Sequence, residues 1–325
     1  MPDENTPKKV ILITGANGFV GKSLTKYISQ HQYTVRASVR SEEARTTMLH
    51  FKEKHKLTHL TIHNVHEESD WEKILKGVYV VIHCAGRAHI LNENPKDSLA
   101  EFRAVNTYAT ENLAKLAQRS GVKRFIFLSS IGVLGNCSYS TPFTENTPPT
   151  PSANYAISKL EAEQLLKKQS GSMDVVIIRP PLIYGPGAKG NFGKLLQALK
   201  KNIPLPLGCI QNKRHFLSIN NLNDFIGVCI EAPKAANESF LVSDKESIST
   251  TKLIQSLSQS LNAKPLLLPV PNILLKFGLK CAGKSKVIEQ LIENLEIDTS
   301  KAKNLLGWVP PHSLNKELKR ATEPL

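Results

Sequence analysis

Two rhythms of apolar and polar positions alternate over the first 180 residues. Short runs rich in β-branched and aromatic residues recur at 10–14, 34–39, 60–63, 79–83, 124–128 and 175–179. Between most of them lie longer stretches with the 3.6-residue spacing of an amphipathic helix, notably 99–119 and 154–168. Short, continuously apolar strands separated by helices predict a parallel sheet covered on both faces. Gly121 follows the first long helical pattern as its stop signal. The fold class expected is therefore α/β, a Rossmann-type doubly wound parallel sheet, with ligands at the carboxyl ends of the strands. After Pro180-Pro181 the rhythm changes, and prolines punctuate shorter helices and extended pieces. That predicts a smaller C-terminal α/β substrate lobe at 183–214 and 244–325, beside a dinucleotide-binding domain at 1–182 to which 215–243 returns. Residues 1–8 read as a loose polar arm.

The first strand runs straight into Gly15-Ala-Asn17-Gly18-Phe19-Val20-Gly21 and then a helix. Glycines at this spacing permit a tight turn, let backbone N–H groups approach a diphosphate, and let helix and strand pack closely. The helix N-terminus adds partial positive charge. At the end of the second strand an NAD site usually carries Asp or Glu, to accept from the ribose 2′-OH. Here Arg40 occupies that position, with Glu42 and Glu43 close by. A guanidinium suits a 2′-phosphate, so NADP(H) is the favoured cofactor and NAD(H) the alternative.

Tyr155 and Lys159 are four residues apart and share one helix face. A phenol is a poor proton carrier at neutral pH unless nearby positive charge stabilises its anion. Lys159 can do that and can also hold a ribose. Ser130 closes the fifth strand, 25 residues before the tyrosine, where its hydroxyl can bond a substrate oxygen.

These motifs resemble the extended short-chain dehydrogenase/reductase family, the NAD(P)-dependent nucleotide-sugar epimerase, dehydratase and reductase group that includes UDP-glucose 4-epimerase-like enzymes. The resemblance spans nearly the whole chain. It rests on the glycine cradle, Val81-Ile-His83-Cys-Ala85-Gly86, Asn106, Phe127-Leu-Ser-Ser130-Ile-Gly-Val-Leu-Gly135, Tyr155 to Lys159, and Arg179-Pro-Pro-Leu-Ile-Tyr-Gly-Pro-Gly187. It implies Ser130, Tyr155 and Lys159 as the catalytic set. Ala85, Gly86 and Asn106 would line the cofactor, and Asn64 and Val65 would flank its adenine, with Asn64 standing where the family usually has Asp. Asn191 and Arg214 would meet the nucleotide sugar, with Ser130 and Tyr155 also touching it. His83, Arg87 and His89 are further candidates for facing substrate. Dehydratases of the family place Asp-Glu after the strand-end hydroxyl residue; here Ile131-Gly132 follow, and neither can transfer a proton. Reduction of a 4-keto sugar in surface polysaccharide synthesis is the favoured expectation. A UDP-hexose 4-epimerase with bound NAD is the alternative, and a non-catalytic NADP-sensing protein ranks third.

Composition narrows this only slightly. The 325 residues are 41% hydrophobic and 22% charged, ordinary for a folded enzyme. Five scattered cysteines without Cys-x-x-Cys spacing suggest reduced thiols, no zinc site and a cytoplasmic location. No apolar run reaches the length of a membrane span. The net charge of +14 comes with only 6% aromatic residues, and nucleic acid is not an expected partner. One acid-free basic stretch, Lys189 to Arg214, could attract a nucleotide diphosphate. A second, 266–286, mixes leucines and Phe277 with four lysines; a core helix with a wet edge is the plainer reading, and a peripheral membrane contact the other. A homodimer is also open.

Overall fold

The computed structural model describes residues 8–54, 59–63, 69–88, 98–169, 171–283 and 285–323. Among the described residues there are nine strands: β1 (Val10–Thr14), β2 (Thr34–Val39), β3 (His59–Ile62), β4 (Val78–His83), β5 (Arg124–Leu128), β6 (Asp174–Arg179), β7 (Ile183–Tyr184), β8 (Leu217–Ser218) and β9 (Ser239–Leu241). Seven of them form one sheet in the order β3-β2-β1-β4-β5-β6-β9. The ladders from β3 to β6 are all parallel. Chain order reverses between β1 and β4, so the crevice at the carboxyl ends of these two strands is the expected ligand position. Alternate residues of the central strands are buried on both faces, as in Leu12 and Ile13, Val81 and Ile82, Phe125 and Ile126. Helices covering both faces explain why these strands lack a polar alternation.

The helices of the first half are α1 (Phe19–Ser29), α2 (Glu42–Lys54), α3 (Glu72–Leu75), α4 (Ser98–Phe102), α5 (Ala109–Arg119) and α6 (Asn154–Lys168). The single helix expected over 99–119 is interrupted by a π-helical turn, Arg103–Tyr108, in which Ala109 N–H donates back to Ala104 O. One face of α5 buries Ala109, Leu113 and Ala117 against Leu12, Val81 and Phe125. Gly121 then ends the run with φ of 79°, a conformation that suits glycine.

The chain separates into two compact units. The first contains Met1–Val133, Ala153–Arg179 and Ile226–Phe240; the second contains Leu134–Ser152, Pro180–Phe225 and Leu241–Leu325. These bounds differ from the expected 1–182 and 215–243. Segment 134–152 joins the second unit because Phe143 N–H donates to Glu296 O and Ser138 N–H to Asn294 O, both at 2.9 Å. The returning segment is shorter than expected, and it is tied to the first unit by Arg124, whose Nη1 donates to the carbonyls of Cys229, Ile230 and Ala232.

The second unit holds the short parallel pair β7–β8 and the helices α7 (Gly190–Lys200), α8 (Ile219–Glu231), α9 (Thr250–Ser260), α10 (Asn272–Cys281), α11 (Ser285–Leu291), α12 (Ser300–Leu306) and α13 (Leu314–Ala321); α8 continues into the first unit. Its buried polar hub is Asp244, which accepts from Tyr184 Oη at 2.6 Å, Asn221 Nδ2 at 2.7 Å and Ser218 N–H at 3.0 Å. Burial raises the Asp244 carboxyl above its ordinary range, and the bonds it accepts oppose that rise.

Glycine demands differ sharply between α1 and α10. A Cβ on Gly21 would lie 2.2 Å from Gly15 O, a backbone atom, whereas one on Gly278 would meet nothing within 4 Å. Gly21→Ala should therefore cost about 1–3 kcal/mol through overpacking. Gly278→Ala should stabilise by about 0.5–1 kcal/mol through helix propensity. Urea denaturation of the two variants checks this; equal effects would contradict the packing described.

Candidate active site

The glycine cradle begins where β1 ends. Gly15 adopts φ of 65°, and a Cβ there would lie 2.8 Å from Ala85 backbone atoms. The cradle and the loop after β4 therefore touch through a position that only glycine can fill without displacement. Ala16 N–H donates to Ser38 O, and Gly18 N–H to Gly15 O. Gly18 is the N-cap of α1, with no side-chain cap and no acid in the first turn. The first-turn amides, those of Phe19, Val20 and Gly21, thus face the crevice without a competing carboxylate. Asn17 and Gly18 are exposed at its mouth. This open, uncapped terminus fits the diphosphate of a dinucleotide.

Arg40 lies exposed just beyond β2. Glu42, which sequence placed as a competing acid, instead pairs with Arg45 at 3.1 Å. Arg36 is turned away, its guanidinium donating to the carbonyls of Ile74 and Lys76. The expected adenine contacts Asn64 and Val65, and also His89, lie outside the described residues.

Ser130, Tyr155 and Lys159 all belong to the first unit. Ser130 Oγ accepts from Gly132 N–H at 3.1 Å. A Cβ on Gly132 would stand 3.3 Å from Ser130 Oγ and 3.5 Å from Ala156 Cβ. The serine loop is thereby packed against the first turn of α6, directly beside Tyr155. The phenol ring stacks edge-on with Phe102, centroids 6.3 Å apart. Burial pushes Tyr155 up to about 12. Lys159 is buried, its Nζ 3.9 Å from the Phe127 ring centroid, with no hydrogen bond to protein among the described residues. Burial pulls it down to about 7, opposed by the carboxylate of Glu163. The protein alone therefore holds a neutral phenol beside an ammonium close to losing its proton. A bound positive ring would be needed to bring the phenol toward ionisation.

Sequence reasoning missed the group that anchors this arrangement. Glu163 accepts from Arg179 through both carboxylate oxygens, at 2.5–3.2 Å, and from Ser129 Oγ at 2.5 Å. This pair is buried and links α6, β6 and the end of β5. One signal was available: Glu163 is four residues beyond Lys159, on the same helical face.

Asn106 was expected to contact the cofactor, but its amide is committed to protein. Its Oδ1 accepts from Arg87 N–H at 2.8 Å, while Nδ2 donates to Arg87 O and Ser158 Oγ, each at 3.0 Å. It fixes the loop bearing Ala85 and Gly86 against α6. His83 does not face substrate either. It is fully buried, between the hydroxyls of Thr14 at 2.7 Å and Thr110 at 3.0 Å. Thr110 gives its hydrogen to Asn106 O, so Nε2 of His83 carries the ring proton. Burial, then the nearby Lys159 charge, pulls His83 down to about 3 and keeps it neutral. Arg87 pairs with Glu101.

In the second unit, Asn191 Nδ2 donates to Gln290 Oε1 at 2.9 Å. Arg214 is buried, and its Nη1 donates to the carbonyls of Glu289 and Glu293 at 2.8 and 2.7 Å. Burial pulls its guanidinium down to about 10. Both residues are thus anchored on α11 or the loop after it.

The buried lysine has a pH signature. Its folded value of about 7 lies below the ordinary 10.5. Between those limits the unfolded chain binds the extra proton, so stability linked to Lys159 rises with pH and is lost as pH falls through 7. Lys159→Met should therefore stabilise the ligand-free protein by roughly 1–3 kcal/mol at pH 6. That gain should shrink toward pH 10, as read by denaturant titration; a gain that grows with pH would contradict the desolvated ammonium.

Comparison with known proteins agrees with this geometry. The sequence model of the NAD dependent epimerase/dehydratase family matches residues 11–243. UDP-glucose 4-epimerase of Vibrio cholerae is 42% identical over 326 residues, covering 99% of this chain and 96% of that protein. N-acetyl-alpha-D-glucosaminyl-diphospho-ditrans,octacis-undecaprenol 4-epimerase of Escherichia coli O157:H7 is 26% identical, covering 96% and 94%. Among solved structures, UDP-glucuronic acid 4-epimerase from Bacillus cereus, in complex with UDP-glucuronic acid and NAD, superposes with a TM-score of 0.77 at 22% identity, covering 96% of this chain and 98% of that one. An uncapped glycine cradle on a doubly wound sheet, and a family match over more than two thirds of the sequence, lead to one conclusion: the chain belongs to the NAD dependent epimerase/dehydratase family.

Proposed function

We propose that this protein is a nucleotide-sugar 4-epimerase that oxidises and re-reduces C4 of a UDP-linked hexose while retaining its cofactor. The observation that carries this reading is the 42% identity to a UDP-glucose 4-epimerase along the whole chain. In this reading Gly15, Gly18 and the first-turn amides of α1 hold the diphosphate, and Lys159 bonds the nicotinamide ribose. The bound nicotinamide supplies a reversible hydride acceptor. Tyr155 Oη, as the phenolate that a bound positive ring beside it would favour, takes the proton of the C4 hydroxyl and returns it, and Ser130 Oγ bonds the same oxygen. Asn191 and Arg214 serve the nucleotide and its diphosphate, Arg214 through the guanidinium edge not used by Glu289 and Glu293. Dehydration is disfavoured because Ile131 and Gly132 follow Ser130, and neither side chain can transfer a proton.

A second reading, reduction of a 4-keto sugar with NADPH, is favoured by Arg40. It lies exposed where a 2′-phosphate would sit, and its acidic neighbour Glu42 is engaged by Arg45.

Purified protein incubated with UDP-glucose and UDP-N-acetylglucosamine, without added cofactor, should interconvert C4 epimers by proton NMR. Tyr155→Phe should lower that turnover by about 10²–10⁴-fold and keep its cofactor; near-normal turnover would remove Tyr155 from the mechanism. No epimerisation, together with stoichiometric NADPH oxidation by a 4-keto sugar, would promote the reductase. In that case Arg40→Asp should shift the NADPH-to-NADH affinity ratio by about tenfold, or about 1.4 kcal/mol, in equilibrium titrations.

A further inference from the structure

Helix α10 is apolar on two sides. Leu275 and Leu279 are half-buried, whereas Ile273, Leu274 and Phe277 are 81%, 63% and 68% exposed. At 100° per residue, Ile273, Leu274, Phe277 and Lys280 share one outward arc. Just before the helix, Leu266 and Leu268 are also exposed, with Leu267 half-buried between them. Their backbone is fixed: Leu205 N–H donates to Leu266 O, Leu268 N–H to Leu205 O, and Gly208 N–H to Leu268 O. These two leucines are therefore held outward by strand-like alternation. Five of the twelve exposed large apolar side chains among the described residues fall within 266–277, so the patch is concentrated rather than scattered.

Charge identifies the occupant. Residues 261–288 contain lysines at 264, 276, 280, 284 and 286 and no Asp or Glu. Lys276 pairs with Glu293, while Lys264 and Lys280 are exposed. A symmetric contact with a second copy would set such a surface against its own positive charge. An anionic lipid surface instead accepts both the apolar arc and the lysines at its rim.

We propose that α10 and segment 266–268 form a membrane-docking face that lies on an anionic bilayer surface, with Ile273, Leu274 and Phe277 entering the headgroup–acyl boundary. Among the described residues no helix is long and apolar enough to cross a membrane, so the attachment is peripheral. Flotation of the full chain with phosphatidylcholine–phosphatidylglycerol vesicles tests this. Wild type should float with them at 0.1 M salt, and at least tenfold less with pure phosphatidylcholine or at 0.5 M salt. Ile273→Ser combined with Phe277→Ser should lose at least tenfold in partitioning. Two milder changes keep the test open if that variant fails to fold: Lys280→Glu should weaken flotation several-fold, and Phe277→Trp should show a blue-shifted emission only with anionic vesicles. Failure of wild type to float, unchanged partitioning of the variants, or a wild-type dimer that the double variant dissociates would each overturn the proposal.

Discussion

The commitment of the buried Glu163 carboxylate to Arg179 and Ser129, and not to Lys159, is the constraint on which the rest of the site depends. Removing an ammonium from water is costly unless a counter-charge bonds it, and here the nearest carboxylate, Glu163, is committed to Arg179 and Ser129. The lysine is left with the face of Phe127 and a proton it holds weakly near neutral pH. Because the Glu163–Arg179 pair is buried, breaking either partner would strand the other charge, a loss of about 3–5 kcal/mol. That pair locks α6 to β6 and, through Ser129, to the end of β5. Ser130 is the next residue along the chain. The relative placement of Ser130, Tyr155 and Lys159 thus follows from a network in which none of the three takes part.

A second layer sets the cofactor side. The hydroxyl of Thr14 receives the amide of Ala85 and bonds His83, His83 reaches Thr110, and Thr110 holds the carbonyl of Asn106. Asn106 in turn pins Arg87 and Ser158. This chain of bonds crosses from the end of β1 to the loop after β4, through the π-helical turn, to α6. It leaves the Gly15–Ala85 contact as the floor of the crevice. Burial and the Lys159 charge keep this histidine neutral, so its Nδ1 accepts from Thr14 while its Nε2 donates to Thr110.

Much of this is legible in the sequence alone. The strands at 10–14, 34–39 and 124–128 and the helix at 154–168 have the bounds expected, because each is an uninterrupted periodic run flanked by turn or cap residues. The glycine cradle and the Tyr155–Lys159 spacing were readable because both are local. What escaped depends on distant partners. The Glu163–Arg179 pair joins positions sixteen residues apart in two different elements. Asn106 reads as a ligand contact until its amide is seen bonded to Arg87 and Ser158, and His83 reads as available until two threonines enclose it. Segment 134–152 groups with the second unit, and nothing near it in sequence announces that it pairs with residues 294–297. The apolar arc of α10 was visible as composition, but only the exposure of Ile273 and Phe277 distinguishes a surface from a core helix.

In the proposed reaction Tyr155, Ser130 and Lys159 support reversible oxidation at a single sugar carbon, with hydride and proton moving separately. Deuterium placed at C4 of UDP-glucose tests it most directly. The label should survive at C4 in both epimers, with none released to water, because the hydrogen on carbon never meets solvent. Loss of the label to water during epimerisation would show proton abstraction from carbon instead, and would contradict the account.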